Sequence, residues 1–105
     1  MKYSHNYAKL RVSNYTTIRR YSKGEVGDII KENYPSGSHL AKIIRIEKRA
    51  LADIYLTELM FDTDCNSRGE AYRLFQSFYK KPIDFKNEKF YIYYLKKEDS
   101  IVCPR

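Results

Sequence analysis

The segment Tyr15-Thr16-Thr17-Ile18-Arg19-Arg20 is rich in β-branched and aromatic side chains and predicts a β-strand. Successive side chains of a strand point to opposite faces of the sheet. Tyr15, Thr17 and Arg19 should therefore share one face, and Thr16, Ile18 and Arg20 the other.

Three further segments predict strands. Residues 28–34 and 39–48 flank the turn signal Pro35-Ser36-Gly37, and the second of them contains a cluster of isoleucines. Residues 90–95 read Phe-Tyr-Ile-Tyr-Tyr-Leu, with apolar or aromatic side chains on both faces. A strand that is apolar on both faces is typical of the interior of a sheet, so we predict that residues 90–95 form a central strand.

Helical patterns occupy the start and the second half of the chain. Tyr3, Tyr7 and Leu10 have helical spacing and predict a short helix over residues 3–11. A second helix is predicted over residues 52–60, with Asp53 as its N-cap. The strongest signal is the capping box from Ser67 to Glu70. It precedes a predicted helix that ends before Pro82 and whose apolar stripe consists of Ala71, Leu74, Phe75 and Phe78.

The order helix, three strands, two helices, strand predicts an α+β protein. With so few strands, both faces are buried most economically by a small mixed β-barrel or curled sheet flanked by helices. A length of 105 residues allows one hydrophobic core, so we predict a single domain over residues 1–105.

The positive charge lies in the first half of the chain. Residues 1–49 contain 11 Lys or Arg and 4 Asp or Glu, whereas residues 50–105 contain 9 of each, so the net charge of +7 belongs to the first half. Concentrated charge attracts a polyanion, although the same residues would also serve as a solvated surface. Tyrosines 3, 7, 15, 21 and 34 lie among these cations, and an aromatic ring beside a cation is suited to stacking on an unpaired base.

Several functional classes find no support in the sequence. There is no apolar run of membrane-spanning length and no apolar leader segment, so we expect a soluble, cytoplasmic protein. No P-loop, dinucleotide fingerprint, zinc-protease motif or paired CxxC is present, and we predict no cofactor and no metal. Asp62-Thr63-Asp64 is more typical of a solvated turn or a capping loop than of a cation site. Cys65 and Cys103 are expected to be free thiols, with a bridge between them left open.

The order of several short motifs resembles the ASCH family, small members of the PUA-like superfamily. The motifs are the T-x-R strand at residues 15–19, Val26-Gly27-Asp28 before the next strand, and Ala41-Lys42-Ile43 in the third. The acidic loop and S-x-x-E helix at residues 62–79 and the aromatic strand at residues 90–95 follow in the same order. The resemblance covers nearly the whole chain.

This resemblance implies a β-barrel with a cleft between barrel and helices that binds RNA or nucleosides. Similar proteins include hydrolases that remove the acetyl group of acetylcytidine with a Lys, a Thr and a Glu. The Thr matches Thr17 and a neighbouring Arg matches Arg19, whereas the Lys position falls on Asn14 and the Glu position near Asp64. Asn14 cannot accept a proton as a base, so the resemblance favours the pocket more strongly than the reaction.

We therefore predict a module that binds RNA or a modified nucleoside in a basic cleft. The candidate binding residues are Asn14, Thr17, Arg19, Arg20, Lys23, Lys42, Arg45 and Asp64. The alternative is a hydrolase in the same cleft, either an acetylcytidine amidohydrolase or a ribonuclease, with Thr17 and Asp64 as catalytic residues.

Three structural questions stay open at the sequence level. Lys9, Arg11 and Lys23 are candidates for positive charge near Thr17. An ion pair of Arg19 with Asp64 or Asp28 would give that arginine a purely structural role. A tyrosine-rich surface would instead favour a protein-interaction domain.

Overall fold

The computed structural model describes residues 1–98 and has an α+β fold. Four strands form one sheet: β1 (Asn14–Arg19), β2 (Ile29–Tyr34), β3 (Gly37–Ala50) and β4 (Lys89–Lys97). Two α-helices, α1 (Leu56–Thr63) and α2 (Arg68–Phe78), lie between β3 and β4 in the chain. Short 3₁₀ helices occupy Ala8–Arg11 and Leu51–Asp53. All four predicted strands are present, and β3 is longer than predicted at both ends.

The sheet is a curled half-barrel with strand order β1-β4-β3-β2. β4 is a central strand, which confirms the prediction made from its two apolar faces. All three pairings are antiparallel, so the expectation of a mixed barrel was wrong. The reason lies in the connection from β3 to β4: Ala50 pairs with Lys89, so the helical segment between them returns the chain to the end of β3 that it left. A connection of this kind gives antiparallel strands, however long it is.

The two edge strands, β1 and β2, are joined by side chains and by the N-terminal segment. Glu32 of β2 is fully buried, and its Oε1 accepts hydrogen bonds from the hydroxyls of Tyr15 in β1 (2.9 Å) and Tyr3 (2.6 Å). Lys2 forms an isolated parallel bridge with Asn33. One buried carboxylate thus holds together the edges that a closed barrel would pair through its backbone.

Each face of the sheet covers its own hydrophobic cluster. Ile18, Phe90 and Ile92 pack against the helices, whereas Tyr15 and Tyr93 lie in the cluster inside the curl. This alternation is the one predicted for residues 15–20. β1 is consequently buried on both faces over most of its length.

The capping-box helix formed as predicted, apart from one residue of its stripe. The Ser67 side chain accepts a hydrogen bond from the Glu70 backbone N–H, and α2 ends at Phe78, before Pro82. Phe78, assigned to the apolar stripe, is 42% exposed.

The other two predicted helices are present over only part of their predicted ranges, and the predicted cap at Asp53 was wrong. Residues 1–3 are extended because Tyr3 and Met1 exchange backbone hydrogen bonds with Asn33, so only Ala8–Arg11 is helical. The helical spacing of Tyr3, Tyr7 and Leu10 reflects their common burial inside the curl. The helix predicted over residues 52–60 begins instead at Leu56, with no side-chain cap at Tyr55, and ends at Thr63. Asp53 lies in the preceding 3₁₀ turn.

Two further expectations are tested only in part. Cys65 is a half-buried free thiol, but Cys103 lies outside the described residues, so the question of a bridge stays open. Within residues 1–98, no helix combines the length and the apolar character that crossing a membrane requires.

Candidate functional site

A cavity of about 380 Å³ opens between the N-terminal segment, the end of β1 and α2. Its volume falls within the range of small-molecule sites, roughly 300–1,000 Å³. Aromatic rings form much of its wall: Tyr3, Tyr7, Phe75, Phe78 and Tyr79. Lys9, Asp62 and Thr63 also line the cavity and are almost completely buried. The cavity therefore combines flat apolar walls with a small group of buried polar side chains.

Lys9 is the centre of that polar group. Its side chain is only 2% exposed, and its Nζ lies 3.0 Å from Oδ1 of Asp62 and 3.3 Å from Oγ1 of Thr17. The second carboxylate oxygen of Asp62 accepts a hydrogen bond from the Thr16 hydroxyl at 2.9 Å. Lys9 and Asp62 thus meet at the free edge of β1 and contact consecutive threonines, whose side chains point to opposite faces of the strand.

Local structure holds both charged residues in place. Lys9 lies in the 3₁₀ helix Ala8–Arg11, whose first backbone N–H donates to Oδ2 of Asp64 at 2.8 Å. Asp62 lies in the last turn of α1, and Asp64 ends that helix in the left-handed conformation with a φ of 57°. Aspartate tolerates this conformation better than most residues. Asp64 therefore joins the end of α1 to the short helix that carries Lys9.

Burial governs the electrostatics of the cluster. Desolvation lowers the pKa of Lys9, and the Asp62 carboxylate opposes that shift by favouring the ammonium form. The rings of Tyr3 and Tyr7 lie 5.3 Å and 5.6 Å from the Lys9 Nζ, close enough for cation–π attraction. Burial raises the pKa of the Tyr3 hydroxyl, and the negative charge of Glu32 raises it further, so the hydroxyl stays protonated. A lysine in such surroundings is suited to exchanging a proton.

Three of the predicted site residues are at this cavity. Arg19 and Lys23 line it, and Thr17 lies directly beneath Lys9. Thr17 is fully buried and does not itself form part of the cavity wall. In the described residues Arg19 makes no ion pair with Asp64 or Asp28, and its guanidinium donates instead to the carbonyl oxygens of Ile18 and Lys2. The structural alternative for Arg19 is therefore not the one observed.

The other predicted site residues lie elsewhere, so the expectation of one shared cleft needs correction. Asn14 and Lys42 flank Lys96 in one exposed row across β1, β4 and β3, and Arg45 stacks on Tyr94 of the same face. They are separated from the cavity because they lie on the solvent-exposed part of the sheet face that the helices leave uncovered.

Arg20 and Asp64 have structural contacts. The guanidinium of Arg20 pairs with Glu88 at 2.6 Å and donates to the carbonyl oxygens of Lys81 and Pro82, which ties β1 to the segment before β4. Asp64 was predicted as a catalytic residue near the Glu position of the similar hydrolases. It is exposed, and its carboxylate accepts a hydrogen bond from the backbone N–H of Ala8. Asp62, two residues earlier, supplies the buried carboxylate instead.

Sequence reasoning did not assign Lys9 and Asp62 to the site. Lys9 was only one of three candidates for nearby charge, and Asp62 was grouped with Asp64 as a solvated loop. One available signal was the position of Lys9 among Tyr3, Tyr7 and Leu10, all of which are buried. A lysine that shares the buried side of a segment with such residues needs a buried anionic partner.

Among residues 1–98, no group of three or more His, Cys, Asp or Glu side chains is arranged to hold a metal ion. The carboxylates of the acidic loop make protein contacts instead, Asp62 with Lys9 and Thr16, and Asp64 with Ala8.

Comparison with known proteins identifies a similar archaeal chain. It is an uncharacterized protein of Methanocaldococcus jannaschii, 41% identical over 69 residues. The alignment spans 61% of this chain and 60% of the length of that relative. No family model matches the chain, and no solved structure matches it.

Proposed function

We propose that this protein binds a nucleobase in the aromatic cavity and hydrolyses an amide on the exocyclic amine of that base. Acetylated cytidine is the substrate class that the ASCH resemblance implies. The observation that supports the proposal best is the Lys9 amine, 3.3 Å from the Thr17 hydroxyl and 3.0 Å from the Asp62 carboxylate, in a cavity with aromatic walls. The cluster contains the three types of group that the similar hydrolases use.

Lys9 occupies the role for which Asn14 is chemically unsuited. In the alignment of motifs the lysine should come three residues before Thr17, but Lys9 reaches the same hydroxyl from eight residues before it. Asp62 replaces the expected Glu and is shorter by one methylene. The objection to a hydrolase that rested on Asn14 is therefore weaker.

The reaction requires one proton to be moved twice. Neutral Lys9 takes a proton from the attacking oxygen as that oxygen bonds to the acyl carbon. The resulting ammonium is stabilised by Asp62 and returns the proton to the departing nitrogen as the carbon–nitrogen bond breaks. The products are acetate and the free exocyclic amine.

The attacking oxygen has two sources. Attack by water gives acetate directly, with Thr17 only holding Lys9 in place. Attack by the Thr17 hydroxyl gives an acetyl ester on Thr17, which water then cleaves. The full burial of Thr17 and its absence from the cavity wall support the water route.

The test is incubation of the protein with acetylcytidine, followed by chromatography of the nucleosides and measurement of acetate. Lys9→Met should lower the rate by about 10²–10⁴-fold, the usual contribution of a general acid–base group. Lys86→Met is the matched control, because Lys86 is exposed and does not line the cavity. Unchanged substrate at high protein concentration would refute the hydrolase.

Mass spectrometry of the protein during turnover distinguishes the two routes. Thr17→Ser keeps a hydroxyl and should keep most of the activity under either route, but under the water route no added acetyl group is found. An acetyl group on residue 17 that is released by water would instead establish the threonine as nucleophile.

A second candidate function is RNA binding without a reaction, and the exposed basic row supports it. Lys42 and Lys96 are direct cross-strand partners on one exposed face, an arrangement in which like charges repel. A phosphate backbone would relieve that repulsion. Retention of single-stranded RNA should fall steeply with salt and weaken in Lys42→Gln/Lys96→Gln, with Arg19→Ala tested alongside. Absence of retention at low salt would eliminate this candidate.

A further inference from the structure

The charges around the cavity do not balance. Its lining includes the cations Lys2, Lys9, Arg19 and Lys23, and the single carboxylate of Asp62. Asp62 lies 3.0 Å from the Lys9 amine, so these two groups satisfy each other in the buried part of the cavity. Three cations therefore remain, and all three are more exposed than Lys9. Positive charge that is concentrated in a concave site attracts an anion.

The guanidinium of Arg19 is held in place as a hydrogen-bond donor for an anion. Its guanidinium lies 4.9 Å from the centre of the Tyr3 ring and donates to two backbone carbonyl oxygens, those of Ile18 and Lys2. A guanidinium has five N–H donors, so about three remain for a ligand after these two bonds. Its planar donor geometry fits two oxygens of a phosphate at once.

The neighbouring Arg20, which directly follows β1, shows the contacts of an arginine with a structural role. Arg20 forms an ion pair with Glu88 and is closed in by two carbonyl oxygens. Arg49 likewise pairs with Glu47 and Glu58. Within the described part of the chain, Arg19 has aromatic and carbonyl contacts but no carboxylate partner. Arg11, Arg68 and Arg73 also lack an ion pair in the described residues, but Arg19 is the one described arginine that lines the cavity.

We propose that the ligand of this cavity is a phosphorylated nucleoside, with its base beside Lys9 and Asp62 and its phosphate bound by Arg19 and Lys23. The inference rests on the proposed nucleobase cavity and adds the substrate class: a nucleotide or a nucleotide within RNA, in preference to a free nucleoside. Both sources present the same phosphate chemistry.

The experiment measures binding, so it does not depend on catalysis. Isothermal titration with cytidine, cytidine monophosphate and a short oligocytidylate is carried out at low and at moderate salt. The monophosphate should bind at least about tenfold more tightly than cytidine at low salt, as expected for charge-assisted hydrogen bonds to phosphate. That advantage should shrink as salt is raised.

Two variants test the assignment to Arg19 and Lys23. Arg19→Met should lower the affinity for the monophosphate by much more than the affinity for cytidine, and so remove most of the preference. Lys23→Met is the second variant, because Arg19 also packs on the Tyr3 ring of the cavity wall. The Lys23 side chain is exposed and makes no ion pair in the described residues. Its replacement should lower the preference for the monophosphate and disturb the aromatic wall less than Arg19→Met does. Lys86→Met carries the same charge change away from the cavity and should have no effect.

Each outcome decides between the proposals. Equal affinity for cytidine and its monophosphate, or a preference that survives both variants, overturns the phosphate assignment but leaves the hydrolase proposal intact. A strong preference in a protein that does not deacetylate acetylcytidine supports the phosphate site and removes the hydrolase. Tighter binding of the oligocytidylate than of the monophosphate identifies RNA as the source, and equal binding identifies the free nucleotide. Failure of all three ligands to bind overturns both proposals.

Discussion

Asp62 and Glu32 are two buried carboxylates that the fold uses differently. Asp62 is 5% exposed, lines the cavity and faces the amine of Lys9. Glu32 is fully buried away from the cavity lining, and its partners include the hydroxyls of Tyr3 and Tyr15. Both satisfy the requirement that a buried charge be paired or hydrogen-bonded. Asp62 lines the cavity and pairs with a lysine, whereas Glu32 lies outside the lining, so burial alone does not mark a functional carboxylate.

The largest expected effect on stability comes from breaking the Lys9–Asp62 pair. Lys9→Met leaves the Asp62 carboxylate buried without its cation and should lower the free energy of unfolding by about 3–5 kcal/mol. The double variant Lys9→Met/Asp62→Leu removes both charges and should recover most of that loss. Urea unfolding of the two variants and the parent protein measures the difference. A double variant as unstable as the single one would show that packing, and not the unpaired charge, causes the loss.

Removing the charge of Glu32 should have a smaller effect and spare the cavity chemistry. Glu32→Gln weakens the hydrogen bonds donated by Tyr3 and Tyr15, with an expected cost of about 1–3 kcal/mol. Deacetylation per folded molecule should stay close to that of the parent protein, because Glu32 does not line the cavity. Tyr15→Phe removes a single donor and should cost less than Glu32→Gln. Loss of activity in a fully folded Glu32→Gln protein would erase the distinction between the two carboxylates.

These two clusters also show how far the sequence alone reaches. The alternation of Tyr15 and Ile18 between the faces of β1, and the start of α2 at Ser67, depend on neighbouring residues and were predicted. The Lys9–Asp62 pair joins positions 53 apart, and the Glu32–Tyr15 bond joins two edge strands across the curl. Neither has a local pattern, because both follow from how the sheet curls and where the helices return.

The same long-range geometry explains why Asp64, and not Asp62, was predicted as the carboxylate beside the cleft. Asp62 lies in the last turn of α1 and Asp64 ends that helix, so the conformation at the end of α1 decides which of the two side chains turns inward. Asp64 adopts the left-handed conformation that stops the helix, so its side chain reaches Ala8 instead of the cavity. Residue types alone predicted an acidic segment beside the site. Which of the two aspartates faces the cavity depends on the backbone conformation at the end of α1.

The pH dependence of stability offers a subtler test of the Lys9–Asp62 pair. Burial lowers the pKa of Lys9 below its ordinary value of 10.5, so between the two values the unfolded chain binds more protons than the folded protein. The free energy of unfolding should therefore rise with pH in this window, by at most about 1.4 kcal/mol per pH unit for one proton.

The control for this test is Lys9→Met/Asp62→Leu. It lacks the titrating lysine but keeps the tyrosines, whose raised pKa values act in the opposite direction at high pH. The difference between parent and double variant, followed by urea unfolding from pH 7 to 10, isolates Lys9. A difference that does not change with pH would mean that Lys9 titrates alike in the folded and unfolded states.

The smallest expected effect concerns the contact that positions Lys9. Asp64→Ala removes the acceptor for the Ala8 N–H and should lower the free energy of unfolding by about 1 kcal/mol, as for the loss of one exposed hydrogen bond or cap. The 3₁₀ helix that carries Lys9 would then be less firmly fixed. The deacetylation rate per folded molecule should therefore fall as well. Asp64→Asn keeps an acceptor oxygen and should restore both quantities. If Asp64→Ala leaves the rate unchanged, the position of Lys9 depends on Asp62 and Thr17 and not on the end of α1.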